Sequence, residues 1–136
     1  RYFQRIFMID SIADLIVRIK NAGLAYKQTV VISYSKMKLA IAELLKREGF
    51  VKEVEKKGKK ITKFIEITLA YESGKPKIQD IVRISKFSRR IYQGVKDIKS
   101  VRQGFGRLVL TTPKGILTDK EARAQKVGGE SLFKIW

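Results

Sequence analysis

Two short segments near the C-terminus carry the side chains best suited to binding a polyanion. They contain Thr111, Thr112, Lys114 and Gly115 in the first segment, and Gly128, Gly129 and Glu130 in the second. Hydroxyls and glycines expose backbone N–H groups and let another polymer's backbone approach closely. Lys114 adds a cation, and Glu130 can accept from a base amino group or orient a neighbouring arginine. These residues predict binding through hydrogen bonds and charge rather than covalent catalysis. The alternative for the first segment is an ordinary hairpin turn, and for the second a loop that enters the last strand.

Composition excludes several kinds of catalytic and metal site. The 136 residues include neither Cys nor His, which removes catalytic thiols, disulfides, imidazole acid–base chemistry and zinc sites built on those ligands. No apolar run approaches the roughly 18 residues that a membrane-spanning helix requires. The 30 Lys and Arg residues outnumber 13 Asp and Glu, giving a net charge of +17, so a polyanionic partner is expected. We predict a nucleic-acid-binding protein that is not an enzyme, with no metal, cofactor, membrane or small-molecule substrate.

Two further basic segments are candidates for contacts with nucleic acid. Residues 83–92 (RISKFSRRIY) interleave basic side chains with hydroxyls and two aromatic rings, a mixture that holds a phosphate backbone and stacks on unpaired bases. We interpret Phe87 as a core residue and Tyr92 as a base contact, although both rings could instead lie in the core. Residues 56–60 (KKGKK) predict a hairpin tip with four ammonium groups, either solvated or in auxiliary contact with phosphates: Lys56, Lys57, Lys59 and Lys60.

The N-terminal half predicts the order α-β-α-β-β. Apolar positions with helical spacing follow Asp10 and Ser11, either of which can cap the first helix. A β-branched run at 29–33 predicts a strand. A second helix starts at Ser35 and ends at Gly49, with a buried stripe of Met37, Ala40, Ile41, Leu44 and Leu45. Strands are predicted at 50–55 and 61–69.

The C-terminal half predicts short strands and one short helix. Residues 71–77 (YESGKPK) are polar, with Gly and Pro, and predict a linker. Thr118 and Glu121 form a capping box, so a helix is expected over 119–125. The fold class is α+β: a basic extension at 1–9, a small α/β domain at 10–72 and a β-rich RNA-binding domain at 73–136.

Four blocks of this sequence, in order, resemble one family. They are DSIADLIVRIKNA (10–22), YSKMKLAIAELLKREGF (34–50), RISKFSRRIY (83–92) and GFGRLVLTTPKGILTDKEAR (104–123), the last followed by GGE (128–130). Together they resemble the eighth small-subunit ribosomal protein family of bacteria and organelles. The resemblance implies an N-terminal α/β domain, a β-rich C-terminal domain and a structural role in the small ribosomal subunit. Its partners would be the central domain of small-subunit rRNA, bound early in assembly, and neighbouring ribosomal proteins.

The resemblance also implies roles for individual residues. Tyr92 would stack on a base, while Lys86 and Arg90 would face the RNA backbone. A recognition loop would comprise Thr111, Thr112, Lys114 and Gly115, and its cradle would be completed by Gly128, Gly129 and Glu130.

Departures from the family pattern suggest an organellar ribosome. Pro113 stands where a second Ser is usual, residues 87–88 (Phe-Ser) replace a Pro-Gly pair, and Ser11 and Val17 replace Pro and Thr. With a basic, aromatic extension that is either a targeting remnant or an ordinary surface segment, these changes favour a mitochondrial location over a plastid or a bacterial cytoplasm. An alternative function is a regulator that binds messenger RNA through the same surface and represses its own operon.

Overall fold

The computed structural model describes residues 11–59, 61–86 and 89–136. The extension at 1–9, Asp10, Lys60 and the Phe87-Ser88 pair lie outside the described residues, and so do the hypotheses that concern them. The chain forms two compact units, Ile12–Gln79 and a second that includes Asp80–Trp136. The domain limits of 1–9, 10–72 and 73–136 stay predictions, because compactness alone does not define a functional domain.

The N-terminal unit is a three-stranded antiparallel sheet with two helices. Its elements are α1 (Ser11–Leu24), β1 (Thr29–Ser33), α2 (Lys36–Arg47), β2 (Val51–Gly58) and β3 (Lys63–Leu69). The strand order is β1-β3-β2, with β3 central, and alternate residues Ile65, Ile67 and Leu69 of β3 are buried on one face. The predicted α-β-α-β-β order and the mixed α+β class are confirmed.

Helix α2 begins and ends where local signals predict. The Ser35 hydroxyl accepts from the Lys38 backbone N–H at 3.1 Å, and Gly49 has a φ of 83° just beyond the helix. Met37 and Ala40 are only half-buried, so the predicted stripe is corrected: Ala42 and Lys38 are buried with Ile41, Leu44 and Leu45. Burial of Lys38 is tolerated because its ammonium donates to the Ser33 hydroxyl at 2.8 Å.

The β2–β3 hairpin is longer than predicted. Strand pairing continues from Lys56↔Ile65 to Gly58↔Lys63, so the expected four-lysine tip is wrong: Lys56 and Lys57 lie within β2. Favourable backbone pairing overrides the turn-like composition of that segment. The predicted strand at 61–69 begins two residues too early, because β3 starts at Lys63 and Ile61 is 96% exposed.

Residues 71–77 form ordered structure where a linker is predicted. Strands β4 (Tyr71–Glu72) and β5 (Lys75–Pro76) make a hairpin around Ser73 and Gly74, which have positive φ angles of 54° and 79°. The Tyr71 hydroxyl donates to the Lys27 carbonyl. Side-chain anchoring of this kind makes the hairpin part of the N-terminal unit, which local composition does not reveal.

The C-terminal unit is a five-stranded antiparallel sheet. Its elements are β6 (Ile81–Arg83), β7 (Tyr92–Gln93), 3₁₀ turns at Val95–Asp97 and Arg102–Gly104, β8 (Arg107–Thr112), β9 (Gly115–Thr118), α3 (Asp119–Gln125) and β10 (Gly129–Ile135). The order is β6-β10-β8-β9, and β7 also pairs with β10. The last strand therefore lies at the centre. One core cluster of this unit contains Ile98, Val101, Leu108, Leu110 and Ala122.

Helix α3 has the predicted limits and the predicted capping box. The Thr118 hydroxyl accepts from the Glu121 N–H, and the Glu121 carboxylate accepts from the Thr118 N–H, each at 3.1 Å. Buried Asp119 accepts from the Leu108 N–H at 3.3 Å and lies 3.3 Å from the Arg123 guanidinium. The hydrogen bond from Leu108 attaches the first turn of α3 to β8, whereas the Arg123 contact lies within the helix.

Candidate nucleic-acid interface

Strand pairing places three of the predicted site residues in one row across the sheet. Glu130 on β10 lies opposite Tyr92 on β7 and opposite Thr111 on β8. Neighbouring strands are about 4.8 Å apart, so the row brings together residues that are 19 or more positions apart in sequence. Tyr92 is 70% exposed, which leaves its ring free to stack on a base.

Glu130 is the acceptor for the Arg90 guanidinium. Arg90 Nη1 donates to Oε2 at 3.1 Å and to Oε1 at 3.3 Å, and the side-chain exposures are 49% for Arg90 and 9% for Glu130. Of the two roles considered for Glu130, the structure shows the orientation of an arginine. An arginine has five N–H donors, and this pair uses only one of the guanidinium nitrogens. The pair therefore fixes Arg90 while about half of its side chain stays at the surface.

The two glycines make room for this chain's own backbone. A Cβ added to Gly128 would lie 2.4 Å from the Gln93 carbonyl oxygen, and one added to Gly129 would lie 2.1 Å from the Thr111 carbonyl oxygen. Both distances are far below van der Waals contact. The sequence suggests close approach by RNA, whereas the observed close approach is between strands of the sheet.

The β8–β9 turn uses the Thr112 hydroxyl internally. Thr112 Oγ1 accepts from the Lys114 N–H at 3.1 Å and donates to the Gly115 carbonyl at 2.9 Å. Pro113 occupies an exposed turn position that needs no N–H donor. Gly115 has a φ of 106°, and no atom lies within 4 Å of a Cβ built there, so the turn is open on that side.

A buried serine that sequence reasoning missed fixes the segment carrying Lys86 and Arg90. The Ser85 hydroxyl accepts from the Ile91 N–H at 2.8 Å and donates to the Ile91 carbonyl at 3.2 Å. Lys86 and Arg89 exchange two backbone hydrogen bonds at 2.9 and 3.0 Å. Lys86 is exposed. Nothing in the local pattern marks Ser85 as buried, because burial of a hydroxyl depends on the neighbouring strand.

Two buried polar atoms near the row have no hydrogen-bond partner among the described residues. They are Ser131 Oγ and Gln93 Oε1. Ser131 follows Glu130 on β10, and Gln93 follows Tyr92 on β7. Such atoms reduce stability unless they are satisfied.

Comparison with known proteins identifies the family. Residues 10–136 match the family model described as ribosomal protein S8. The chain belongs to the ribosomal protein S8 family. Membership in this family confirms the prediction of a non-enzymatic, structural protein.

Curated relatives match nearly the whole chain. A protein of Chlorobium chlorochromatii (strain CaD3), named small ribosomal subunit protein uS8, is 49% identical over 128 residues, covering 93% of this chain and 97% of the relative. Proteins with the same name in Acidovorax sp. (strain JS42) and Dictyoglomus thermophilum (strain ATCC 35947 / DSM 3960 / H-6-12) are each 46% identical. They cover 94% and 93% of this chain, and 98% and 97% of their own lengths. These relatives are bacterial and give no support to a mitochondrial location.

In this S8-family chain, two lysines of the β2–β3 hairpin contact other side chains of the N-terminal unit. Lys57 Nζ lies 3.1 Å from Glu66 and 3.6 Å from Glu55, and its hydrogen bond to Glu66 raises the Lys57 pKa above its ordinary value of 10.5. The Lys56 ammonium lies 4.6 Å from the centroid of the Tyr34 ring. Lys59 is exposed. Of the described lysines here, Lys59 is therefore the best placed for phosphate contact.

Neither metal-binding clusters nor membrane-spanning helices occur in the described part of the chain. Among those residues, no group of three or more Asp and Glu side chains is placed to hold a metal ion. No helix within the same ranges has both the length and the apolarity needed to cross a membrane.

Proposed function

We propose that this protein binds the central domain of small-subunit rRNA and supports assembly of the small ribosomal subunit. The observation that carries the proposal is the row formed by Tyr92, Glu130 and Thr111, with Arg90 held at its edge by Glu130. An exposed ring next to an oriented guanidinium suits unpaired bases and their phosphates. The net charge of +17 supports the same class of partner.

The surroundings of the row supply further contacts. Lys86 and Lys114 are exposed on segments that lead into or out of the sheet, and they would contact phosphates as point charges. The open side of Gly115 would admit the RNA backbone at the β8–β9 turn. The Thr111 hydroxyl would contact RNA directly, whereas Thr112, Gly128 and Gly129 would hold the surface in shape.

The relatives are small ribosomal subunit proteins by name, which supports the small subunit as the location. They match this chain over almost their full length and are bacterial, so we propose a bacterial-type small subunit, in contact with neighbouring ribosomal proteins. A regulator of messenger RNA would use the same surface. Because no feature of the described residues favours that role, we argue only for rRNA binding.

Filter binding with two RNAs tests the proposal. A transcript of the rRNA central domain should bind tightly, and an unrelated hairpin of equal length should bind much more weakly. If about six phosphates are neutralised, the log–log salt dependence should have a slope of about −5 on the duplex coefficient and a shallower one for unpaired RNA. Equal affinity for both RNAs would overturn the proposal.

A set of matched variants locates the surface. Thr111→Val combined with Thr112→Val should weaken binding more than Lys56→Ala combined with Lys59→Ala, because Thr111 lies in the row and Thr112 closes the turn beside it. Thr112→Ser is the control that keeps the turn-closing hydroxyl and should bind normally. A larger loss from the lysine pair would place recognition in the N-terminal unit.

A further inference from the structure

An exposed aromatic ring lies at the far end of β8 from the β8–β9 turn. Phe105 is 84% exposed and precedes β8 by two positions. Five residue steps separate Arg107 from Thr112, or about 17 Å along an antiparallel strand. The proposed rRNA site does not include this position. Single exposed apolar side chains are common on protein surfaces; Phe105 differs in the loop that presents it and in the cations beside it in the sequence.

The loop that carries Phe105 is tightly built. Arg102, Gln103 and Gly104 have consecutive positive φ angles of 51°, 56° and 96°, a conformation that Arg and Gln rarely adopt. Backbone bonds close the loop, with the Phe105 N–H donating to the Arg102 carbonyl at 3.1 Å and the Gly106 N–H to the Val101 carbonyl at 3.0 Å. The strained residues are thus fixed by their neighbours, and Phe105 is presented on a defined turn.

Side chains reinforce the same loop. Arg107 Nη1 donates to the carbonyls of Gly104 and Gly106, each at 2.8 Å. A Cβ added to Gly106 would lie 2.8 Å from the Ile135 carbonyl oxygen, so the loop is packed closely against β10. The Arg102 guanidinium carbon lies 4.2 Å from the centroid of the Trp136 ring. These contacts hold the base of the loop and leave Phe105 outside it.

The charge around Phe105 favours a nucleic acid over a protein pocket. Residues 98–109, which include this loop and the start of β8, contain no Asp or Glu, and they contain Lys99, Arg102 and Arg107. A basic segment without acidic residues attracts phosphates, and an exposed aromatic ring stacks on bases. Together these two features suit binding of unpaired nucleotides. A protein pocket for Phe105 would have to neutralise the same cations.

We propose that Phe105 stacks on an unpaired base of the bound RNA and forms a second contact about 17 Å from the β8–β9 turn. The inference rests on the RNA binding proposed above. The RNA must then extend along the whole length of β8. Lys99 and Arg102 would attract the phosphates that flank the stacked base.

Filter binding to the central-domain transcript tests the stacking role. Phe105→Ala should weaken binding about 5- to 140-fold, as expected for loss of one stacked base, with the salt slope unchanged because no charge is removed. Phe105→Tyr should bind like the original chain, and Phe105→Leu like the alanine variant. Leu24→Ala, which removes another exposed apolar side chain (79% exposed), is the matched control and should have no effect.

The outcomes separate this inference from the proposed function. If the unaltered chain does not prefer the central-domain transcript, rRNA binding itself fails. If it does prefer that RNA, and Phe105→Ala binds equally well, only the stacking contact is overturned. Normal binding by Phe105→Leu would also overturn it, since an aliphatic side chain has no ring on which a base can stack. Thermal unfolding midpoints equal to that of the original chain confirm that each variant is folded.

Discussion

Arg90 and Glu130, 40 positions apart in sequence, form an ion pair in which one guanidinium nitrogen contacts both carboxylate oxygens, at 3.1 and 3.3 Å. The carboxylate is nearly buried and the guanidinium is half exposed. An acidic residue in a site for a polyanion would ordinarily repel the ligand. Here the Glu130 carboxylate fixes the Arg90 guanidinium in one position. We therefore expect Glu130 to favour RNA binding despite its negative charge.

Glu130→Gln should therefore weaken binding of the central-domain RNA, by about tenfold, which is the scale of one charge-assisted hydrogen bond. Removal of a negative charge alone would strengthen binding. Glu72→Gln, at an exposed acidic residue of the β4–β5 hairpin, is the control and should leave RNA affinity unchanged or slightly increased. Filter binding at three salt concentrations measures both variants. Tighter binding by Glu130→Gln would show that Glu130 merely repels RNA.

Replacement of two buried serines by alanine, Ser85 after β6 and Ser131 within β10, should change the free energy of unfolding differently. Ser85→Ala removes the only acceptor shown for the Ile91 N–H and should lower the free energy of unfolding by about 1–3 kcal/mol. Ser131→Ala removes a buried hydroxyl with no partner among the described residues and should be neutral or stabilising by about 1 kcal/mol. Urea unfolding gives both values. A large loss on Ser131→Ala would reveal a bound water or other partner for that hydroxyl.

Two glycines of the candidate site should differ in their tolerance of a methyl group. Gly129→Ala places a Cβ 2.1 Å from the Thr111 carbonyl oxygen, so β8 and β10 must separate, and a loss of roughly 3 kcal/mol or more is expected. Gly115→Ala meets no neighbouring atom and should cost only the left-handed backbone strain, about 1–2 kcal/mol. Chemical denaturation at one pH compares the two. Equal losses would contradict the strand contact at Gly129.

Stability at acid pH should depend on one exposed ion pair. Lys46 Nζ lies 2.6 Å from a Glu53 carboxylate oxygen, and that hydrogen bond holds the Glu53 pKa below its ordinary value of 4.5. Because the Glu53 pKa is lower in the folded state than in the unfolded state, the pair stabilises the fold at pH values above the unfolded-state pKa. This stabilisation is lost as the pH falls through the folded-state pKa. Glu53→Gln should therefore flatten the fall in urea midpoint below about pH 5.

The shift in the Lys46 pKa stabilises the fold over a different pH range, with its upper limit at alkaline pH. Its pKa is raised above 10.5 by the hydrogen bond to Glu53, so its contribution is present below that value and is lost as pH rises above the folded-state pKa. Lys46→Met should produce the same flattening at acid pH as Glu53→Gln. An unchanged acid profile in both variants would show that the pair does not form in solution.

Local signals predicted the parts of the fold that depend on a few consecutive residues. The Ser35 cap, the left-handed Gly49 and the Thr118–Glu121 box each involve contacts within four positions, and all three are present. Lys56 and Lys57 were placed in a turn because Lys and Gly dominate that segment. Their inclusion in β2 follows from pairing with Ile65 and Phe64, which composition does not encode.

The candidate site was harder to predict because its geometry is non-local. The types of residue at Tyr92, Thr111 and Glu130 pointed to RNA, but only the strand register shows that they share a row. The internal roles of Thr112 and Ser85 were missed for the same reason. A hydroxyl near cations has the same sequence pattern whether it faces a ligand or closes a turn.

The central position of β10 has a consequence for biosynthesis. Strands β6 and β7 pair only with β10 in the described sheet, and Glu130 is the residue that joins Tyr92 to Thr111. A chain that lacks residues 129–135 cannot form the row of Tyr92, Glu130 and Thr111, even if its other segments have folded. The proposed RNA contact through this row therefore requires that β10 has been synthesised and paired, and a product truncated before residue 129 should not compete for the same RNA.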